Sequence, residues 1–237
     1  MAFECVSQTH VGLRRKVNED SMLVRTDRGL WAVADGMGGH EAGDVASAKV
    51  TEALLGLPIV YGLDALVDSA IAAVQKVNQE LIALAASGEG ERVIGSTVVG
   101  LAIAGDRFRC FWAGDSRAYL VRDGKIAQLT RDHSLVQALV DSGMLGPDEA
   151  ESHPNANVIT RAVGVAEGLS VDSVSGEAVP GDIFLLASDG LTRLVSDSEL
   201  VAELRSGNLA EAADRFVATV LARGAPDNVT IILAKLI

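Results

Sequence analysis

Aromatic residues make up only 4% of this 237-residue chain, which holds five prolines and two cysteines. Two cysteines, Cys5 and Cys110, can build neither a disulfide framework nor, by themselves, a structural zinc site. Cys110 lies in an apolar run and reads as a small core residue. Long basic runs are missing too: 20 Lys and Arg are outnumbered by 32 Asp and Glu, for a formal net charge of −12. A nucleic-acid backbone is bound by clustered cations that release its counterions, so nucleic acid is excluded as a partner. No stretch reaches the roughly 18–20 apolar residues that a membrane span needs, and residues 1–12 lack the basic-then-apolar pattern of a secretion signal. A cytoplasmic, reducing location is therefore expected, and the sequon Asn228-Val229-Thr230 is read as a chance match. Catalytic signatures are also missing. No Gly-Lys-Ser/Thr or Gly-x-Ser-x-Gly occurs, and His40-Glu41 continues into Ala-Gly-Asp, so a Walker loop, a nucleophile elbow and a HExxH zinc helix are excluded. The first arginine after Cys110 is Arg117, seven residues on, one position too far for cysteine-based phosphatase chemistry.

What the chain does have is 49% hydrophobic residues, mostly aliphatic, enough for a sizeable core. No linker, charge block or repeat divides it, which predicts one domain over residues 1–237. Apolar residues recur at three- and four-residue steps over Leu63–Ala86 and Leu209–Arg223, predicting two amphipathic helices, with shorter ones over Glu41–Leu55 and Ser134–Ser142. Gly224 stands where a helix stop is expected. Strands are predicted at Ser21–Thr26, Leu30–Ala34, Ser96–Ala104, Arg107–Ala113, Ala118–Arg122, Lys125–Thr130, Ile183–Ser188 and Asn228–Leu236. Asp123-Gly124 marks a hairpin. Strands arriving in runs rather than alternating with helices point to antiparallel pairing in an α+β fold with helices on the outer faces. Residues 143–160 show little periodicity and read as a surface flap.

The informative feature is where the aspartates fall. Trp31-Ala32-Val33-Ala34 ends in Asp35-Gly36; Cys110-Phe111-Trp112-Ala113 in Gly114-Asp115; Ile183-Phe184-Leu185-Leu186-Ala187-Ser188 in Asp189-Gly190; and Asp227-Asn228 opens Val229-Thr230-Ile231-Ile232-Leu233. A single Asp-Gly after a strand reads as a turn. Four carboxylates at the ends of buried strands are costly unless they meet cations or donors, and if they converge their repulsion calls for a multivalent cation. Oxygen-only ligands favour Mg²⁺ or Mn²⁺ over zinc. Two such ions would acidify a bridging water and neutralise charge on a phosphoryl oxygen, so hydrolysis of an anionic ester is the expected chemistry. Arg15, in the run Arg14-Arg15-Lys16-Val17-Asn18-Glu19-Asp20, could clamp a phosphoryl group, with Glu19 and Asp20 orienting waters.

These motifs, in order and across almost the whole chain, resemble the metal-dependent Ser/Thr protein phosphatases of type 2C in their compact bacterial form. Besides those above, Gly114-Asp115-Ser116-Arg117, Thr130-Arg131-Asp132-His133, Ile159-Thr160-Arg161-Ala162-Val163-Gly164 and Ser188-Asp189-Gly190-Leu191 carry the likeness. It implies a four-layer αββα sandwich, two central antiparallel sheets flanked by helix pairs, with the metals at one end. It implies a phosphoserine/phosphothreonine phosphatase that acts by direct attack of a bridging metal-bound hydroxide, with no covalent intermediate. Asp35 would bridge two Mn²⁺ or Mg²⁺ ions, with the Gly36 carbonyl on the second and Asp189 and Asp227 completing the first. Asp115, with Asp189, would hold a weaker third ion. Arg15 would bind the substrate phosphoryl group, Glu19 and Asp20 would hold waters, and residues 143–160 would form a flap beside the site. Thr130–His133 and Ile159–Ala162 read as scaffold. In members with Asp-Gly-His the general acid directly follows the glycine; here Met37-Gly38-Gly39 intervenes, so His40 either protonates the leaving oxygen or binds water near the metals. The expected partners are phosphoproteins and an opposing bacterial Ser/Thr kinase with its substrates. The expected state is a monomer.

Overall fold

A computed structural model describes residues 2–38, 42–87, 93–146, 149–150, 153–205 and 207–237. In chain order its strands are β1 (Phe3–His10), β2 (Asp20–Arg25), β3 (Leu30–Met37), β4 (Gly95–Ser96), β5 (Val98–Ala104), β6 (Arg107–Ala113), β7 (Arg117–Arg122), β8 (Lys125–Gln128), β9 (Asp172–Glu177), β10 (Ile183–Ala187) and β11 (Val229–Leu236). Its helices are α1 (Ala42–Leu55), α2 (Leu63–Ala86), α3 (Leu135–Asp141), the single turn α4 (Asp189–Thr192), α5 (Asp197–Leu204) and α6 (Leu209–Ala222).

Side chains alternate across a strand, and the central strands here are apolar in both directions because both of their faces are covered. Along β3, Leu30, Ala32 and Ala34 enter a core shared with α1 and α2, while Trp31 and Val33 enter a second core between two sheets. Along β11, Ile232 and Ala234 join that same inter-sheet core, and Ile231 and Leu233 pack with Leu200, Ala213 and Phe216 of α5 and α6. The result is four layers. One sheet runs β1-β11-β10-β7-β8 and the other β2-β3-β5-β6-β9, with β4 joined to β3, and the strand pairs are antiparallel. Helices α1 and α2 cover the second sheet and α4, α5 and α6 the first. This is the expected α+β sandwich.

The turn Asp123-Gly124 has positive φ at both residues, 51° and 70°, as a tight primed hairpin turn requires. Gly224, at φ 95°, follows α6 where the helix was expected to stop. Strand β3 runs beyond the expected Ala34, because Gly36 and Met37 pair with Ser96 and Gly95. That extension carries Asp35 and Gly36 to the end of the sandwich on regular backbone.

Candidate active site

Segments 11–19, 113–116, 188–190 and 225–228 meet at one end of the two sheets. Their junction is drawn tight by glycines at contacts no other residue could make. A Cβ on Gly36 would lie 2.0 Å from the Gly43 carbonyl oxygen, and one on Gly190 would lie 1.8 Å from that of Asn228. Buried Asn228 pins loop 11–19 at three points: its Nδ2 donates to the carbonyls of Val11 (2.9 Å) and Val17 (3.0 Å), and its Oδ1 accepts from the Glu19 amide (2.8 Å). The sequon asparagine is thus a structural clamp. The Asp35 backbone is fixed as well, its N–H donating to Thr97 Oγ1 (3.1 Å) and its carbonyl accepting from the Thr97 amide (2.8 Å) and Ser96 Oγ (3.1 Å).

On this frame Arg15, Glu19, Asp35, Gly36, Asp189 and Asp227 line one pocket of about 320 Å³, together with Asn157, Ile159 and Arg193. Asp20 sits opposite Asp35 in the β2–β3 register and accepts a hydrogen bond from Ser188 Oγ at 2.8 Å. Asp115 lies next to Asp189, in a smaller adjoining cavity of about 130 Å³ that Arg117, Asp132 and Gln137 also line. Asp35, Asp115, Asp189 and Asp227 are therefore at the same end of the fold, as expected. His40 lies outside the described residues. Asn157 and Ile159, from the segment expected to be a flap, border the pocket.

The carboxylates are electrostatically frustrated. Withdrawal from water, and then the charges of Asp189, Asp20, Asp115 and Asp227, push the Asp35 carboxyl well above the usual range. Burial is also the first cause at Asp20 and Asp115, each pushed up to about 7, with Asp189 the main carboxylate neighbour of both. The Asp189 carboxyl is raised by burial, an effect opposed by Arg193, and Glu19 is raised by desolvation. Two carboxylate oxygens, Asp20 Oδ1 and Asp115 Oδ1, are buried without a hydrogen-bond partner. Such atoms are rare in folded proteins, and with acceptors only they can be satisfied by a proton, a water or a cation.

Two arginines supply part of the missing charge. Arg15 Nη2 lies 2.8 Å from Asp227 Oδ2, and Arg193 Nη2 lies 2.9 Å from Asp189 Oδ2 and 3.3 Å from Asp115 Oδ2. Nothing in the sequence singled out Arg193; a charged residue ending a short helix carries no distinguishing pattern. The residues fit hard divalent ions. Among the described residues no three Asp, Glu, His or Cys side chains gather as a complete ligand set, but an ion such as Mg²⁺ keeps several waters and needs only one or two carboxylates. Asp35, Asp189 and Asp227, which line one pocket, are such donors, and the pocket has room for the waters.

The scaffold motifs take structural places behind this cluster. Arg117 holds Asp132 through Nε (3.0 Å) and Nη2 (2.7 Å). His133 Nδ1 accepts from the Gly114 amide (3.1 Å), and its Nε2 faces Asp172 Oδ2 at 3.2 Å, which Arg161 also engages at Oδ1 (2.6 Å). The Trp112 ring stacks on the His133 ring. Cys110 is fully buried in the inter-sheet core, as read from its apolar run.

A family model described as protein phosphatase 2C matches residues 4–138. The serine/threonine protein phosphatase PstP of Mycobacterium tuberculosis is 41% identical over 236 residues, covering 95% of this chain and 43% of PstP, so this chain spans less than half the length of that relative. PppA, described as a key regulatory component of T6SS in Pseudomonas aeruginosa, superposes with a TM-score of 0.93 at 41% identity, covering 100% of this chain and 99% of that one. The PstP catalytic domain in complex with two manganese ions superposes with a TM-score of 0.87 at 37% identity, covering 98% and 97% of the two chains.

Proposed function

The chain belongs to the protein phosphatase 2C family, and we propose that it hydrolyses phosphoserine and phosphothreonine in proteins with Mn²⁺ or Mg²⁺ held by Asp35, the Gly36 carbonyl, Asp189 and Asp227. One observation carries the reading: carboxylates from three distant stretches of chain open into a single pocket with Arg15 at its rim. Two ions bound there supply Lewis acidity, neutralising charge on the phosphoryl oxygens and acidifying a water into a nucleophile.

The chain's own groups do the rest. Arg15 is exposed along about half of its side chain and can leave Asp227 for a phosphoryl group, which a guanidinium grips through paired N–H donors. Glu19 and Asp20 accept hydrogen bonds from waters and so orient them, and the unpartnered Asp20 Oδ1 is one such acceptor.

The proposal extends to a single catalytic unit over residues 1–237, with residues 143–160 as a flap that adjusts substrate preference. It also includes an opposing bacterial Ser/Thr kinase as biological partner, a monomeric state and a cytoplasmic site of action. No helix among the described residues is long and apolar enough to cross a membrane. The test is hydrolysis of a phosphothreonine peptide with and without Mn²⁺. Turnover should require the ion and vanish in Asp35→Ala; metal-independent turnover, or turnover retained in that variant, refutes the assignment.

A further inference from the structure

Arg193 is held at three points, and all three belong to groups around the pocket. It follows Asp189 by four residues at the end of α4, where its backbone N–H donates to the Asp189 carbonyl at 3.0 Å. Its Nη2 spans Asp189 Oδ2 (2.9 Å) and Asp115 Oδ2 (3.3 Å), and its Nη1 donates to Asn157 Oδ1. The guanidinium lines both the 320 Å³ pocket and the 130 Å³ cavity, so it stands at the boundary between them. A surface ion pair of this kind would contribute little, but the Asp115 side chain is only 6% exposed and a buried carboxylate needs a cation beside it.

We propose that Arg193 is the resident cation of the Asp115–Asp189 pair and so excludes the third divalent ion that the family resemblance places on those two aspartates. The inference rests on the proposed two-ion centre of Asp35, Gly36, Asp189 and Asp227. An ion arriving at Asp115 must either share the space with a guanidinium or displace it from two carboxylates and Asn157. Both reduce its apparent affinity, because only molecules with the arginine withdrawn are competent to bind. Asp115 Oδ1, which has no partner, is the oxygen left to receive an ion once the arginine is gone.

The test counts Mn²⁺ ions bound at equilibrium, read from the electron paramagnetic resonance signal of free Mn²⁺ up to millimolar concentrations. Wild type should bind two ions and Arg193→Gln three, with the third dissociation constant at least about tenfold lower than any third event in wild type, a difference of about 1.4 kcal/mol. Arg193→Lys, which keeps the positive charge, should return the count to two. Three ions on the wild-type protein, or two on Arg193→Gln, overturn the inference while leaving the two-ion centre intact. No bound Mn²⁺ on wild type overturns the proposed function and this inference with it. Should Arg193→Gln not fold, Asn157→Ala removes one of the three holds and should let a third ion bind more tightly than in wild type; an unchanged isotherm there refutes the proposal.

Discussion

Replacing Asp35 with asparagine should stabilise the metal-free protein. Withdrawal from water, and then the charges of Asp189, Asp20, Asp115 and Asp227, raise the Asp35 carboxyl well above its usual range, so the folded metal-free state holds that proton more tightly than the unfolded chain does. An unfolded aspartate titrates at about 3.9. At a pH above both values, each unit by which the folded pKa exceeds that one costs the folded state about 1.36 kcal/mol. An amide of the same shape removes it, leaving the backbone bonds to Ser96 and Thr97 in place. At about 2–4 °C per kcal/mol for a chain of this size, Asp35→Asn should melt at least about 2–4 °C above wild type in EDTA at pH 7.

The sign of the pH dependence follows from the direction of the shift. A carboxyl whose folded pKa is raised contributes stability that is fully present below the unfolded pKa and is lost as pH climbs toward the folded one. Asp20 and Asp115, both pushed up to about 7, act in the same sense. The metal-free wild type should thus lose stability steadily from about pH 4.5 to 7. The gap between it and Asp35→Asn should narrow as the pH is lowered toward the unfolded value. Differential scanning fluorimetry of both proteins across that range, with EDTA and with Mn²⁺, reads all of this. Mn²⁺ should raise the melting temperature of wild type strongly and of the variant weakly. A variant no more stable than wild type at pH 7 in EDTA, or a gap that does not change with pH, refutes the electrostatic account of the cluster.

Arg15→Ala should raise KM for a phosphopeptide about tenfold while kcat falls less; steady-state kinetics with unchanged KM would remove Arg15 from substrate binding. Asn228→Ala orphans two carbonyls and one amide at a buried junction, and with ~1–3 kcal/mol for each unsatisfied group, partly relieved by water, urea unfolding should show a loss of about 2–4 kcal/mol. Gly190→Ala would drive a Cβ to 1.8 Å from the Asn228 carbonyl oxygen, so the α4 turn carrying Asp189 must move. Calorimetry should then show Mn²⁺ affinity reduced at least about tenfold, and wild-type affinity would contradict the close approach.

The strands that position the site were legible because burial on both faces forces an uninterrupted apolar run, and a polar residue at its end is conspicuous. Asp35, Asp115 and Asp189 follow such runs and Asp227 precedes one. The expected Arg107–Ala113 matches β6 to the residue, and Leu63–Ala86 matches α2 because its one buried stripe repeats over many turns. Elements at the margins were not legible. Strand β9, Asp172–Glu177, lies at a sheet edge and has no fully buried residue, Val174 being only partly covered, so its sequence alternates serine, glycine and acids. Strand β1, Phe3–His10, is part-exposed along most of its length, and α5 spans only eight residues, too few turns for a period to stand out.

The residues missed at the site share another property: their roles depend on what arrives from elsewhere. Asn228 could be noted in a motif, but its bonds to Val11, Val17 and Glu19 span more than 200 positions and leave no local pattern. Arg193 sits four residues from Asp189, yet what makes it matter is Asp115, 78 positions away. Repulsion among converging carboxylates can be foreseen from four strand ends; which cation answers it depends on the side chain standing between them. A sequence that set glutamine at 193 would read the same along its strands and aspartates, and would differ in how many ions it holds.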